Sequence, residues 1–201
     1  MVADVESILI DRAQIALRVH DLGRELAKDL QEELQREHAA NGQAGKTVTD
    51  DDTGRIIFVP ILTGALVFTA DLIRELTLKL SLRVVAVSSY PGTSVASKGA
   101  KLAGELPKDL AGKHVVIVDD ILDSGQTLGL IDELIRVQKP ASIRICVLLK
   151  KPPEVRKREV KAHYVGFEIP NEFVVGYGLD YDGFYRNLPY IGVLKQEAIG
   201  R

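Results

Sequence analysis

The sequence predicts an α/β fold with a mostly parallel central sheet flanked by helices. Three observations lead there. Apolar runs without polar alternation recur at residues 56–62, 115–118 and 145–149, which suits strands buried on both faces. Segments with helical spacing of apolar residues alternate with them, as parallel crossovers require. The chain of 201 residues is 46% hydrophobic and 27% charged, ordinary for one compact domain with its own core.

The elements follow in order. Ile15, Val19, Leu22, Leu26, Leu30 and Leu34 recur at three- and four-residue steps and form the buried stripe of a helix over 12–36. Residues 39–55 are polar and glycine-bearing and read as a surface loop or hairpin tip. Residues 56–62 form a buried strand broken only by Pro60; Thr63 and Gly64 end it, and a helix over 65–78 follows. A second strand spans 83–87. Residues 88–110, rich in glycine, proline and small polar side chains, make a long connection for a compact domain and mark a lid. A third strand covers 115–118, with Asp119 and Asp120 at its carboxyl end, then a helix from about 124 to 137. Strands over 143–149 and 164–167 follow. The tail, 171–194, is rich in aromatics and glycine.

Bulk properties exclude several classes. The formal net charge is −2, without the basic surplus of a nucleic-acid binder, so no nucleic-acid partner is expected. No segment reaches the roughly 18 apolar residues that span a membrane. The N-terminus lacks a signal-peptide pattern, and cytoplasm is the expected location. The one cysteine, Cys146, lies in an apolar run and reads as a buried core thiol. His20, His38, His114 and His163 lack metal-ligand spacing and read as structural or surface residues.

The chemistry concentrates in residues 115–127, Val-Val-Ile-Val-Asp-Asp-Ile-Leu-Asp-Ser-Gly-Gln-Thr. In an open α/β sheet, ligands bind beyond the carboxyl ends of the strands. Two acids stand at such an end, a third follows at Asp123, and a small-polar turn opens a helix. A helix start exposes unpaired N–H groups and favours an anion. Gly125 lets backbone come close to a phosphate, and Ser124 and Thr127 add hydroxyl donors. Asp119 and Asp120 would repel phosphate but suit vicinal hydroxyls. The pattern predicts a cradle for ribose 5-phosphate. The competing reading is a helix capped by Asp123 or Ser124 after an acidic turn. Neither the dinucleotide-binding nor the P-loop glycine spacing is present.

This segment resembles the phosphoribosyl pyrophosphate (PRPP) signature of type I phosphoribosyltransferases. Residues 165–181, Val-Gly-Phe-Glu-Ile-Pro-Asn-Glu-Phe-Val-Val-Gly-Tyr-Gly-Leu-Asp-Tyr, closely resemble the C-terminal part of hypoxanthine-guanine phosphoribosyltransferases. Residues 186–190, Leu62-Thr63-Gly64-Ala65, residues 68–72 and Ser89-Tyr90 extend the likeness over roughly 7–195. The resemblance implies the type I fold, with a small hood lobe built from N- and C-terminal segments and a flexible lid at about 88–110. It implies transfer of phosphoribose from PRPP to hypoxanthine or guanine, giving IMP or GMP and pyrophosphate, with Mg²⁺ as cofactor and a homodimer or homotetramer as assembly. Asp119 and Asp120 would hold the ribose hydroxyls, and Asp123 would serve N7 of the purine as general acid/base. Ser124, Gly125, Gln126 and Thr127 would bind the 5′-phosphate. Leu62, Thr63 and Gly64 correspond to a pyrophosphate loop whose first bond is often a non-proline cis peptide, and Arg186 would also meet pyrophosphate. Lys151 would contact O6; Phe173 would stack on the base and the backbone of Val174 would read its edge. Asp180 would help hold Mg²⁺, and Ser89 and Tyr90 would belong to the lid.

Read without the resemblance, Lys151 is a solvated loop lysine, Phe173 a core residue and Arg186 a surface ion-pair partner. The chain departs from the family in three places. Thr63 stands where many relatives carry lysine, Asp119 where glutamate is common, and Lys150 where an acid or apolar residue is usual. An enzyme preferring guanine and xanthine, an RNA-binding regulator on the same fold and a purely structural α/β domain are the competing readings. The net charge and the intact Asp123, Lys151 and Asp180 set weigh against the regulator, and the anion site flanked by three carboxylates against the structural domain.

Overall fold

The computed structural model describes residues 2–88, 101, 102 and 104–200. Ser89 and Tyr90, with the rest of 89–100 and Ala103, lie outside them. In chain order the elements are β1 (Val5–Ile10), α1 (Arg12–Ala40), α2 (Asp50–Thr53), β2 (Ile56–Leu62), α3 (Leu66–Leu72), β3 (Ser81–Leu82), β4 (Val85–Ser88), β5 (Lys101–Leu102), β6 (His114–Leu122), α4 (Gln126–Arg136), β7 (Ser142–Lys150), β8 (Tyr164–Glu168), β9 (Val174–Val175) and β10 (Ile191–Leu194).

The larger sheet runs β5-β4-β2-β6-β7-β8, with β3 added beside β2. Its pairings are parallel except β4 with β5. Strand alternation sends neighbouring residues to opposite faces, and the core divides accordingly. Ile56, Phe58, Val116, Val118, Cys146 and Leu148 pack under α1 and α3. Ile57, Val59, Val115, Ile117, Ile145 and Val147 pack under α4 through Leu128, Ile131 and Ile135. Both faces of β6 are therefore covered, as the unalternating apolar runs predict. Pro60 is tolerated in this central strand because β2 changes neighbour there. Its register passes from β3 at Ile57 and Phe58 to β4 at Ile61 and Leu62. The Phe58 carbonyl faces that edge, accepting from the Arg83 N–H, so the missing donor of Pro60 faces the same change-over.

The first and last segments meet in a smaller antiparallel sheet, β1-β10-β9. Ile10, Val174, Ile191 and Val193 join it to the α1 core. The strand β1 has one buried residue and no buried alternation, so it has no clear signature in the sequence.

Element boundaries differ from expectation where tertiary contacts intervene. The helix α1 starts at a capping box of Asp11 and Gln14 and runs on to Ala40, because His38 is buried against Asp52 at 2.8 Å. That partner belongs to α2, a short turn inside the expected loop, closed by its own Thr49–Asp52 box. The helix expected over 65–78 ends at Leu72 in a 3-10 turn, Ile73–Glu75. Ser88, at the start of the expected lid, and Lys101 and Leu102 within it belong to the paired strands β4 and β5. Cys146 is buried as expected, and burial pushes its thiol up to about 12. Among the described residues no helix is long and apolar enough to cross a membrane.

His114 is fully buried at the amino end of β6. Its Nδ1 lies 3.0 Å from Ser142 Oγ, Glu37 lies 3.2 Å from its Nε2, and Glu33, Arg55 and Arg144 complete the surroundings. Burial outweighs the two glutamates and holds its pKa below the ordinary value. A depressed histidine folds as the neutral form, so its contribution is present above pH of about 6.5 and is lost as pH falls below that value. The melting temperature should therefore drop between about pH 8 and pH 5.5, and the drop should shrink in His114→Gln; an undiminished drop would contradict the assignment.

Candidate active site

The carboxyl ends of β2, β6 and β7 carry the predicted residues. Asp119 and Asp120 are the sixth and seventh residues of β6, inside the strand rather than beyond it. Asp119 is 7% exposed, and its Oδ1 accepts the Asp120 N–H at 3.1 Å. Burial, then the neighbouring Asp120 charge, raises the Asp119 carboxyl well above the usual range. Burial likewise raises Asp120, against the opposing pull of Arg186. Two desolvated acids side by side disfavour full ionisation, and donors or cations from a ligand would relieve them.

The loop after β2 closes on this pair. Leu62–Thr63 is a cis non-proline peptide, as the resemblance implies. A side chain at Gly64 would collide with the Asp120 carboxylate, and one at Gly178 with the Gly64 carbonyl. Gly178 has φ of +104°, a left-handed conformation natural only to glycine. Arg186 donates to the Gly178 carbonyl at 2.6 Å and pairs with Asp180 at 2.8 Å. The other Asp180 oxygen accepts the Gly183 N–H at 2.8 Å. Asp120, the 62–64 loop, Gly178, Asp180 and Arg186 are thus one connected group. Tyr177 anchors its corner to α3 through a 2.6 Å bond to Asp71.

Beyond β6, Asp123 is half exposed and Ser124 partly buried. The N-cap of α4 is Gly125 at φ of +78°, with no side chain to cap the helix; Ser124 Oγ meets the Gln126 N–H at 3.5 Å, and Asp123 stands outside the helix. The first i→i−4 bond runs from the Gly129 N–H to the Gly125 carbonyl. The N–H groups of Thr127 and Leu128 precede that bond at the helix start, the arrangement expected for an anion site. The glycine at 125 has a further reason besides the one expected. A Cβ there would collide with the Arg158 carbonyl, so the chain's own backbone demands it.

Lys151 is not a solvated loop lysine. Its side chain is only 12% exposed, and Nζ lies 3.6 Å from Asp123 Oδ2. Lys150 turns outward to Glu168. Val174 opens β9 of the smaller sheet, and Phe173 directly precedes it, its carbonyl accepting the Leu194 N–H at 2.9 Å. Phe173 is half-buried and meets Tyr181 edge-on, with ring centroids 5.5 Å apart. Gly178 and Arg156 gain importance that the sequence did not signal. The Gly-Tyr-Gly run at 176–178 offered a hint for Gly178, whereas Arg156 sat unremarked in a basic stretch.

The buried acids yield a stability prediction. A raised folded-state pKa means that ionising Asp119 destabilises the fold above its folded-state pKa, and protonation at lower pH relieves this. Asp119→Asn removes the charge and keeps the oxygen that accepts the Asp120 N–H. At neutral pH it should raise the melting temperature by about 2–4 °C, the shift about 1 kcal/mol produces in a domain of this size. A lowered melting temperature would show that the charge is not destabilising.

Residues 27–182 match the phosphoribosyl transferase domain family. The hypoxanthine-guanine phosphoribosyltransferase of Bacillus subtilis is 41% identical over 192 residues, covering 96% of this chain and 94% of that protein. A crystal structure of a hypoxanthine phosphoribosyltransferase from Staphylococcus aureus superposes with a TM-score of 0.81 at 39% identity, covering 100% of this chain and 97% of that one. A mutant of the Trypanosoma cruzi hypoxanthine phosphoribosyltransferase, complexed with the product IMP, gives 0.77 at 32% identity over 96% of this chain and 93% of that one. With its parallel sheet, its acid pair closing the central strand and a likeness spanning nearly every residue, this chain belongs to the phosphoribosyltransferase family, in its hypoxanthine-guanine branch.

Proposed function

We propose that this protein transfers the 5-phosphoribosyl group of PRPP to N9 of hypoxanthine or guanine, yielding IMP or GMP and pyrophosphate. The observation that carries the proposal is the Lys151–Asp123 pair, 3.6 Å apart, which joins the start of the loop after β7 to the turn that follows the Asp119–Asp120 carboxylates. A carboxylate and an ammonium side by side match N7 and O6, which are neighbours on one edge of a 6-oxopurine. An ammonium donates and cannot accept, so it favours an oxo over an amino group.

The remaining residues take roles around that edge. Asp119 and Asp120 accept from the ribose hydroxyls, and the turn of Ser124, Gly125, Gln126 and Thr127 receives the 5′-phosphate at the start of α4. Phe173 offers a ring face for the base, and the Val174 backbone its polar edge. As the bond from C1 to pyrophosphate breaks, positive charge grows on the ribose and negative charge on the leaving group. Arg186 and the backbone of Leu62, Thr63 and Gly64 lie where that negative charge can be met. Thr63 contributes a hydroxyl but no charge. Asp123 holds or moves the proton at N7 as the base attacks through N9.

Mg²⁺ fits this donor set. Among the described residues no cluster of three or more acids, histidines or cysteines is placed to hold a metal. Mg²⁺, however, commonly relies on one or two carboxylates plus substrate phosphates and water. Asp180, beside Arg186 and the 62–64 loop, is the carboxylate that would share it with PRPP. The ion supplies charge neutralisation for the departing pyrophosphate.

Steady-state rates with PRPP, Mg²⁺ and hypoxanthine, guanine, xanthine, adenine or uracil test the proposal. Hypoxanthine and guanine should turn over and adenine only weakly; equal adenine and hypoxanthine rates would sink it. Excess chelator should abolish turnover. A second test separates the carboxylates. Asp123→Asn should lower kcat by about 10²–10⁴-fold, the range for a positioned acid/base, while Asp120→Asn should act more on the KM for PRPP. Near-normal kcat in folded Asp123→Asn would remove the acid/base role.

A further inference from the structure

We propose that Arg156 is a positioning residue that fixes Asp123 and Lys151 against each other, and thereby sets the preference for 6-oxopurines. The inference rests on the roles proposed above for those two side chains. The guanidinium bridges two loops. Its Nη1 donates to the Leu122 carbonyl at 2.8 Å and also to the Asp123 carbonyl, and its Nη2 donates to the Lys151 carbonyl at 2.7 Å. One planar group therefore holds the backbone of both residues that would read the purine edge.

The local sequence explains how Arg156 returns to this place. Pro152 follows Lys151 directly, and Pro153 opens a 3-10 turn over Pro153–Val155. The Val155 and Arg156 N–H groups close it on the Pro152 and Pro153 carbonyls. The chain folds back, and residue 156 faces the loop that residue 151 began. Proline fixes φ without needing a donor, so this turn is preorganised. The charge suits arginine in particular. Burial pulls its pKa down, yet a guanidinium stays protonated, and its fork serves three carbonyls at once.

Arg156 does not hold the phosphate turn. The Lys157 and Arg158 N–H groups do so, donating to the Ser124 carbonyl at 2.9 and 3.1 Å. The Lys151 N–H separately reaches the Leu122 carbonyl at 3.0 Å. Removing the Arg156 side chain thus leaves the phosphate end on its backbone bonds, and loosens the base end selectively. Misplacing a reacting group by about 1 Å costs on the order of 10²-fold in rate, so the loosening should be visible in turnover.

Arg156→Gln and Arg156→Lys, assayed beside the parent protein, test this. For Arg156→Gln we expect kcat with hypoxanthine to fall about 10–100-fold, consistent with such misplacement. The hypoxanthine-to-adenine ratio of kcat/KM should narrow, while the KM for PRPP and the melting temperature stay near parental values. Arg156→Lys keeps the charge but lacks the fork, and should fall between. Parental kcat and base selectivity in Arg156→Gln would overturn the proposal, as would full activity in Arg156→Lys. So would a parallel loss of PRPP affinity and melting temperature, which marks a merely structural arginine. Failure of the parent itself to use hypoxanthine or guanine would instead overturn the assigned reaction.

Discussion

Two carboxylates at the end of a strand buried on both faces set the terms for the residues around them. Every residue of β6 from His114 to Asp119 is buried, and Asp119 and Asp120 are its only acids. Burial raises both, so the folded chain carries them at a free-energy cost that a solvated turn would not impose. The neighbours follow from this. Position 64 must be glycine because the Asp120 carboxylate fills the space of a side chain, and position 178 because it then packs on the Gly64 carbonyl. Arg186, tied to Gly178 and Asp180, brings a positive charge that opposes the rise at Asp120.

What the sequence revealed divides along this line. The apolar runs of β2, β6 and β7 announce themselves because both faces are covered, and such strands need no alternation to be recognised. The stripe of α1 is equally plain, since Ile15 through Leu34 are the side chains that face the sheet. The strand β1 was invisible for the opposite reason. Only one of its residues is buried, and it exists because β10, nearly two hundred residues away, pairs with it. The last turn of α1 depends similarly on His38 meeting Asp52, a contact that no local pattern encodes.

The site shows the same division. Residues 119–127 lie together in the chain, so their chemistry could be inferred from adjacency. The wall behind them could not. The carbonyls of Leu122, Asp123 and Ser124 all accept from residues 151–158, and the Arg158 carbonyl presses on Gly125. A glycine that looks made for a phosphate is required first by this second segment. Both demands can hold together, because a backbone free of Cβ serves whichever group approaches. Arg156 was illegible because a basic loop residue has the same sequence signature whether it faces water or clamps three carbonyls.

A final regularity concerns charge. Lys151 faces Asp123, and Arg186 faces Asp180, so each cation proposed to meet the substrate already has an acid beside it. A lone ammonium at 12% exposure would be costly to bury; the carboxylate beside it offsets that cost and holds it in place. Binding then exchanges an internal pair for contacts to the substrate instead of filling an empty field. Such an exchange gains little in the ground state. It favours whatever places more negative charge beside the cation or more proton demand on the acid, and bond breaking at C1 does both. In the proposed reaction the pairs would therefore restrain substrate affinity while leaving their charges available to the transition state, which is the distribution that raises turnover.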